Sequence, residues 1–408
     1  MISSPSTPTT VLVTDGENRS SLAVTRSLGR FGCRVIVAGL NKKNLASSSR
    51  FCAASYLTTS PIDNAHKYLD DILDIIRQER IDFIYPMTEP VVMALAEHRD
   101  LLPAQTILAA PDLKQIKAVF DKYAVFQLAQ QVGVAIPQTV FVHGRKDFSE
   151  KAATLTAFPV VVKPCMTNIP TKDGFLSTGV MYANTPEELN KLYQTTEALN
   201  FPSMIQEKII GPGTGLFTLF DKNKHLALFS HKRLREKPPS GGVSVVSESI
   251  PLDPEMVAAA QKLLSAVGWQ GVAMVEFKRD SRDGKAKLME INGRFWGSLQ
   301  LAVVCGIDFP TLLLGYLQGV NPPTALRGYI LGHKLKWLLG TLDHLLIRLK
   351  NCDKTLNLPS NSPSKWQALV DFLRFTEKNT TFDVLDWNDP SPFFLEVRSY
   401  ILNALKGY

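Results

Sequence analysis

Cysteine is scarce and unpatterned: five in 408 residues, at positions 33, 52, 165, 305 and 352, with no CxxC and no Cys/His spacing. An odd, scattered set fits neither a disulfide framework nor a structural zinc site, and reads as reduced, mostly core thiols. Long apolar runs are also missing; the best candidate, near Leu299 to Leu317, is broken by Asp308 and Pro310, which argues against a membrane span. The N-terminal MISSPSTPTT has neither a basic n-region nor an apolar h-region, so residues 1–9 are expected to form a disordered lead and the expected compartment is the cytoplasm. There is no GxGxxG, which weakens a dinucleotide reading, and no Ser/His/Asp or Cys/His arrangement for covalent catalysis. The net charge of +7 is mild for this length and by itself selects no partner.

What is present describes an ordinary globular chain, 45% hydrophobic and 20% charged, of two or three domains. VLVTDG, a helical SLAVTRSLGRFG and CRVIVAGL read as strand, helix, strand. The pattern recurs with a helix over Ala65 to Glu79, the strand IDFIYP, and a helix opened by Thr88, Glu89 and Pro90. Residues 10–110 are therefore expected to form a doubly wound parallel α/β domain. A long helical stretch from Asp112 through Gln131 begins a second, α+β region at 111–320, in which FPVVVKP is a buried strand delivering Lys163 at its end. After Val320 the pattern predicts helices only, with a loop near Asn351 to Ser364, so 321–408 is expected to be a mainly helical extension. No internal repeat is found.

The runs GVAMVEFK and AKLMEING, separated by RDSRDG, predict an antiparallel hairpin because Asp-Gly is a strong turn signal. A turn centred on Asp283 places Glu276 opposite Glu290, with Asn292 on the same face. Directly opposed carboxylates repel unless something positive lies between them. A hard divalent cation on Glu276, Glu290 and the Asn292 amide oxygen fits that need, Mg²⁺ first and Mn²⁺ as an alternative. The competing reading is a solvated pair relieved by Lys278 and Lys287.

VEFK followed by LMEINGRFWGS, with VVVKP and IQEKI upstream and DKYAVFQLAQQVGVAIP before those, resembles the ATP-grasp superfamily of carboxylate–amine ligases, in particular carbamoyl-phosphate-synthase-like ATP-grasp proteins. The likeness covers the order of elements from about Val11 to Val320. It implies a pre-ATP-grasp α/β domain followed by a two-lobed ATP-grasp domain whose small lobe spans about 140–208. It implies that Glu276, Glu290 and Asn292 hold metal, that Arg294 contacts the reacting phosphate or acyl phosphate, and that Lys163 and Lys122 contact ATP phosphates. It also implies that Glu207, Lys208 and Ile210, in IQEKII, lie in the linker whose main chain meets the adenine. Read without the resemblance, Lys163 could be a snorkelling surface lysine, Lys122 a solvated helix charge and Glu207 a strand-end charge.

Two features depart from the family pattern: the loop CMTNIPTKDGFLSTG holds only Gly174 and Gly179, with Lys172 as a compensating charge, and GPGTGLFTLF lacks an acid that several relatives carry. HKRLREKPPSGG is expected to be an ordered loop presenting Arg235 or Lys237 to an anionic substrate; without interleaved aromatics it is a poor nucleic-acid site. The resemblance implies ATP-dependent activation of a small-molecule carboxylate and its coupling to an amine, with a non-catalytic nucleotide-binding regulator or scaffold as the alternative, and a homo-oligomer left open. Thr88 and Glu89, after a strand end, are a candidate carboxylate-partner site or simply a helix cap. Finally, Gly332 to Lys350 reads as a helix or helix pair bent at Gly340, its leucine stripe packed against protein and its opposite side carrying Lys334, Lys336, Arg348 and Lys350, with contact to an anionic membrane surface as the alternative.

Overall fold

The computed structural model describes residues 8–171, 174–239, 241–320, 328–350, 358, 364–374 and 377–406. The first domain alternates β1 (Thr10–Val13), α1 (Arg19–Phe31), β2 (Arg34–Gly39), β3 (Cys52–Leu57), α2 (Ala65–Glu79), β4 (Phe83–Tyr85), α3 (Glu89–Glu97) and β5 (Ile107–Leu108). Its five strands are all parallel, in the order β3-β2-β1-β4-β5. Strands such as Val11 to Val13 and Val35 to Val37 are fully buried because helices cover both faces of a parallel sheet. Asn64 caps α2 by accepting from the Lys67 amide at 2.9 Å. Thr88 occupies the cap position of α3 but spends its hydroxyl on Asp15 Oδ1 at 2.8 Å, so its role is to tie the ends of β1 and β4 rather than to cap.

The stretch read as one helix from Asp112 is two, α4 (Leu113–Phe120) and α5 (Lys122–Gln131). Asp121 between them is extended and its carboxylate caps α5 through the Ala124 amide, a competing local bond that ends the first helix. The small lobe follows: β6 (Thr139–Val142), α6 (Arg145–Ala152), β7 (Val160–Pro164), a ribbon of β8 (Asn168–Thr171) and β9 (Gly174–Ser177), β10 (Met181–Ala183), α7 (Pro186–Thr195) and β11 (Ser203–Glu207). Its sheet order is β10-β7-β11-β6, and it keeps its own core around Phe148, Val162, Tyr193 and Ile205. The glycine-poor loop is thus largely the β8/β9 ribbon; Lys172 lies outside the described residues.

The large lobe comprises β12 (Gly213–Asp221), β13 (Lys224–Lys237), β14 (Val243–Ser249), α8 (Pro254–Ala266), β15 (Gly271–Arg279), β16 (Ala286–Asn292), α9 (Leu299–Val304) and α10 (Phe309–Leu317). Strands do not end there. After Val320 come β17 (Lys334–Lys336), α11 (Leu338–Lys350), α12 (Lys365–Leu373), β18 (Thr380–Phe382) and α13 (Ser391–Leu405). β17 and β18 extend the large sheet to seven strands, β16-β15-β12-β13-β14-β17-β18, which corrects the expectation of a purely helical extension. Three residues can join a sheet edge by main-chain bonds alone, so a segment as short as KLK carries little period signal. The loop expected at 351–364 falls mostly outside the described residues.

The Gly332 to Lys350 reading is corrected twice. Its first part is strand, and Gly340 lies inside α11, where a Cβ would stand 2.1 Å from the Trp337 ring. The buried face of α11 is Gly340, Thr341, His344, Leu345 and Arg348, while Leu346 and Leu349 are exposed. The helix packs on β13, β14 and α12, with His344 Nδ1 donating to the Glu236 carbonyl at 2.6 Å. Lys336, expected on the side opposite the leucine stripe, is buried, its ammonium against the carbonyls of Asp371, Phe372 and Arg374.

Loop 383–389 fastens the extension to the first domain: Arg19, Arg26 and Arg30 on α1 pair with Asp383, Asp389 and Asp386. The described cysteines 33, 52, 165 and 305 are unpaired, and no described helix is long and apolar enough to cross a membrane.

Candidate active site

A cleft of about 390 Å³ opens between the small-lobe sheet and the large sheet. Its two walls are built by different physics. The small-lobe wall comes from β7 and β10 and the linker after β11, with Val161, Lys163, Tyr182 and the residues Gln206 to Ile209. The opposite wall is the β15/β16 hairpin together with β13.

The hairpin pairs Glu276 directly with Glu290, as expected, but the path to that register differs from a simple turn-centred count. Near the turn, Phe277 faces Leu288 and Lys278 faces Lys287; a bulge between Glu276 and Phe277 then shifts the pairing by one residue at Met289, and beyond it Val275 faces Ile291. The bulge brings both acids to the same rung. Asn292 donates from Nδ2 to Glu290 Oε1 at 2.8 Å, and Arg294 Nη2 lies 3.4 Å from Asn292 Oδ1. Gly293 lets the chain leave the strand tightly, since a Cβ there would meet the Trp269 ring at 2.3 Å.

Two cations offset the opposed acids, one on each. Lys122 Nζ stands 3.3 Å from Glu290 Oε2, and Arg233 donates to Glu276 Oε2. Burial pushes the Glu276 carboxyl up, and Arg233 only partly offsets that, while Glu290 repels it further. Burial also acts to raise Glu290, but Lys122, the Asn292 bond, Lys163 and Arg233 outweigh it and hold the group below the usual carboxylate range. The donor set is oxygen only: two carboxylates on one rung and a carboxamide beside them. That is the chemistry a hard cation such as Mg²⁺ requires when phosphates complete its shell. Among the described residues no group of three or more His, Cys, Asp or Glu side chains could hold a metal alone, so a cation here would need further oxygen ligands.

Lys163 projects from the end of β7 into the same space, donating to the Met289 carbonyl at 3.2 Å and lying 5.3 Å from the centre of the Phe126 ring. Burial lowers its pKa to about 8, with Lys122 adding to the shift and Glu290 opposing it. A desolvated ammonium with one carbonyl partner is poised for a stronger anion.

Not every expected residue arrives. Arg235 is on the other side of the sheet, paired to Asp371 at 2.5 Å, and Lys237 pairs with Asp343. The segment HKRLREK is the end of the long strand β13 rather than a loop, and a register break around Leu234 turns Arg233 and Arg235 to opposite faces. Arg233, which crosses β12 to reach Glu276, and Arg19 are site residues the sequence reading missed. Ile210 does not line the cleft: it is exposed and its carbonyl accepts from the amide and hydroxyl of Ser281, both at 2.9 Å. Glu207 and Lys208 do line it, although the Glu207 carboxylate is engaged by Arg282, Lys287 and the Gln138 amide, and its own amide donates to the Gln138 carbonyl at 3.0 Å. Glu89 closes a side chamber of about 290 Å³ shared with Lys122, Glu290 and Arg294.

Residues 226–337 match a family described as ATP-grasp in the biosynthetic pathway with Ter operon. No curated protein matches the chain by sequence. Among solved structures, N5-carboxyaminoimidazole synthetase from Staphylococcus aureus complexed with ADP superposes with a TM-score of 0.61 at 15% identity, over 86% of this chain and 87% of that one. Biotin carboxylase from Campylobacter jejuni, in a βγ-ATP complex, gives 0.60 at 17%, over 79% and 74%. L-amino acid ligase from Bacillus licheniformis gives 0.57 at 18%, over 76% and 74%. At these identities the likeness is one of fold.

Proposed function

We propose that this chain, which shares the fold of ATP-grasp proteins, is an ADP-forming ligase that activates a substrate carboxylate as an acyl phosphate and couples it to an amine. The observation that carries this reading is the convergence, in one interlobe cleft, of Lys163, the Glu276/Glu290 pair, Asn292 and Arg294. The carboxylate oxygen attacks the γ-phosphorus, the bond to the β–γ bridging oxygen breaks, and ADP leaves with that electron pair. The amine nitrogen then attacks the acyl carbon, phosphate departs, and the nitrogen loses its proton to give the amide. No covalent enzyme intermediate is needed; positioning and charge stabilisation suffice.

Val161, Tyr182 and the main chain from Gln206 to Ile209 form the nucleotide end of the cleft. Lys163 binds the phosphates, regaining there the solvation it lost on burial. Glu276, Glu290 and Asn292 would hold Mg²⁺, which supplies charge neutralisation on the transferring phosphoryl group. Arg294, fixed by its Nη1 bond to the Phe295 carbonyl at 2.8 Å, presents its remaining N–H groups to the acyl phosphate. Arg233 is tied to Glu236 at 2.9 Å as well as to Glu276, and is free to retain the first when metal engages the second.

The test is ADP release over a panel of carboxylates with hydroxylamine as the trapping amine. Hydroxamate with stoichiometric ADP supports the ligase; tight nucleotide binding without ADP release from any carboxylate refutes it in favour of a regulator.

A further inference from the structure

Arg19 opens α1 in the first domain, yet it lines the cleft between the lobes, beside Ser244, Gly297 and Ser298. Three elements from outside that domain place it. Asp383, from the extension, takes Nη1; the Trp337 ring lies 4.0 Å from the guanidinium carbon; and Gly297 leaves Nη2 room, since a Cβ there would stand 3.2 Å from it. Nη2 itself has only a long contact to the Ser244 carbonyl, 3.4 Å. Half of a guanidinium fork is therefore spent on a buried carboxylate and the other half faces the cleft. Asp383 does not line that space.

A second observation points to a ligand at the same end. Trp296 is 3% exposed and lines the cleft, and its indole N–H has no partner among the described residues. Ser298 lies next to it, its hydroxyl 2.9 Å from His231 Nε2, and burial lowers the pKa of His231 to about 3, so that ring is neutral. A guanidinium arm with only a long carbonyl contact, on the same cleft as an indole N–H without a partner, suits anionic oxygens.

We propose that Arg19, aimed by Asp383, binds an anionic group, carboxylate or phosphate, of the non-nucleotide substrate at a point remote from the reacting carboxylate. The C-terminal extension thereby acts as a positioning element of the active site: its loop 383–389 holds α1 and sets the direction of the guanidinium. This rests on the ligase reading and narrows its substrate to molecules with two anionic ends.

The experiment uses the full chain with Mg²⁺ and AMP-PNP, titrated calorimetrically with matched probes: glutarate against butyrate, L-glutamate against L-glutamine, and 3-phosphoglycerate against glycerate. At least one dianion is expected to bind tenfold or more tightly than its monoanionic partner, and the pair showing the gap distinguishes carboxylate from phosphate. Arg19→Lys keeps a charge against Asp383 but loses the second arm, and should reduce the gap to under about threefold. The double variant Arg19→Gln/Asp383→Asn, which removes the ion pair without stranding a charge, should abolish it. A gap unchanged in both folded variants, or no probe pair showing a gap, overturns the proposal. ADP release with hydroxylamine from a monocarboxylate, unaffected by Arg19→Lys, would sink this inference and leave the ligase standing. An Arg19-dependent gap without ADP release from any carboxylate would keep the anion site and sink the ligase.

Discussion

Lys163 should make nucleotide binding take up a proton. Its buried ammonium has a pKa of about 8 before any anion arrives, because burial and Lys122 outweigh Glu290. A phosphate at hydrogen-bond distance should return it toward the ordinary lysine value near 10.4. At pH 9 the free protein then carries this proton about a tenth of the time and the complex almost always, so binding absorbs ~0.9 proton there and only ~0.1 at pH 7. The same difference weakens affinity about tenfold between pH 7 and pH 9, ~1.4 kcal/mol. Calorimetry with AMP-PNP and Mg²⁺ in buffers of contrasting ionisation enthalpy measures the uptake directly. Lys163→Met should bind more weakly at pH 7 and lose this part of the pH dependence. For stability the sign is the reverse of the common lysine case: the folded pKa lies below the unfolded one, so between about pH 8 and 10.5 the unfolded chain holds more protons and stability rises with pH relative to Lys163→Met. Equal proton uptake by wild type and Lys163→Met at pH 9 would refute the argument.

Glu290→Gln should abolish metal-dependent ADP release; because Glu290 also compensates Lys122 and Lys163, it should lower rather than raise the melting temperature of the metal-free protein, and a rise would mean that repulsion from Glu276 dominates. Asp389→Ala removes the acceptor of Arg26 Nε (2.8 Å), Ser49 Oγ (2.6 Å) and the Arg50 amide (2.9 Å), and should cost ~3–5 kcal/mol, read by denaturant unfolding; Arg26→Met/Asp389→Leu should recover only part of it, because Ser49, Arg50 and the carbonyls of Asp383 and Val384 stay unpaired. The Asp389 carboxyl is acted on by burial, which raises it, but the bonds from Ser49, Arg26 and Arg50 leave it below the usual range, so its contribution is present above about pH 4 and lost as pH falls further. Gly293→Ala drives a methyl into Trp269 and should destabilise by ~1–3 kcal/mol while lowering turnover, since the displaced segment carries Asn292 and Arg294; an unchanged melting temperature would show that the ring can shift.

Much of the path from residues to cleft was local. The alternation of VEFK and LMEIN, closed by Asp-Gly, determines that two carboxylates meet across a hairpin, because side chains alternate and the turn sets the rung. Val-rich VVVKP determines that Lys163 emerges from a buried strand, and Asn64, Asp253 with Pro254, and Gly268 mark helix ends by chemistry confined to a few residues. The order of these signals identified the fold and most of the cleft's charged lining. Three matters were decided by tertiary structure. Arg233 rather than Arg235 faces the cleft because a strand irregularity near Leu234, invisible to a period-two count, turns them apart. The buried face of α11 is its glycine, threonine and histidine side although its leucines fall within one arc of about 120°, so the period points to the wrong face and the neighbours β13, β14 and Trp337 make the choice. Arg19 reaches a cleft built mainly by residues far along the chain because Asp383, 364 positions away, is the acceptor that fixes its direction. A pairing of that range has no trace in local pattern; it exists only once the chain has closed on itself.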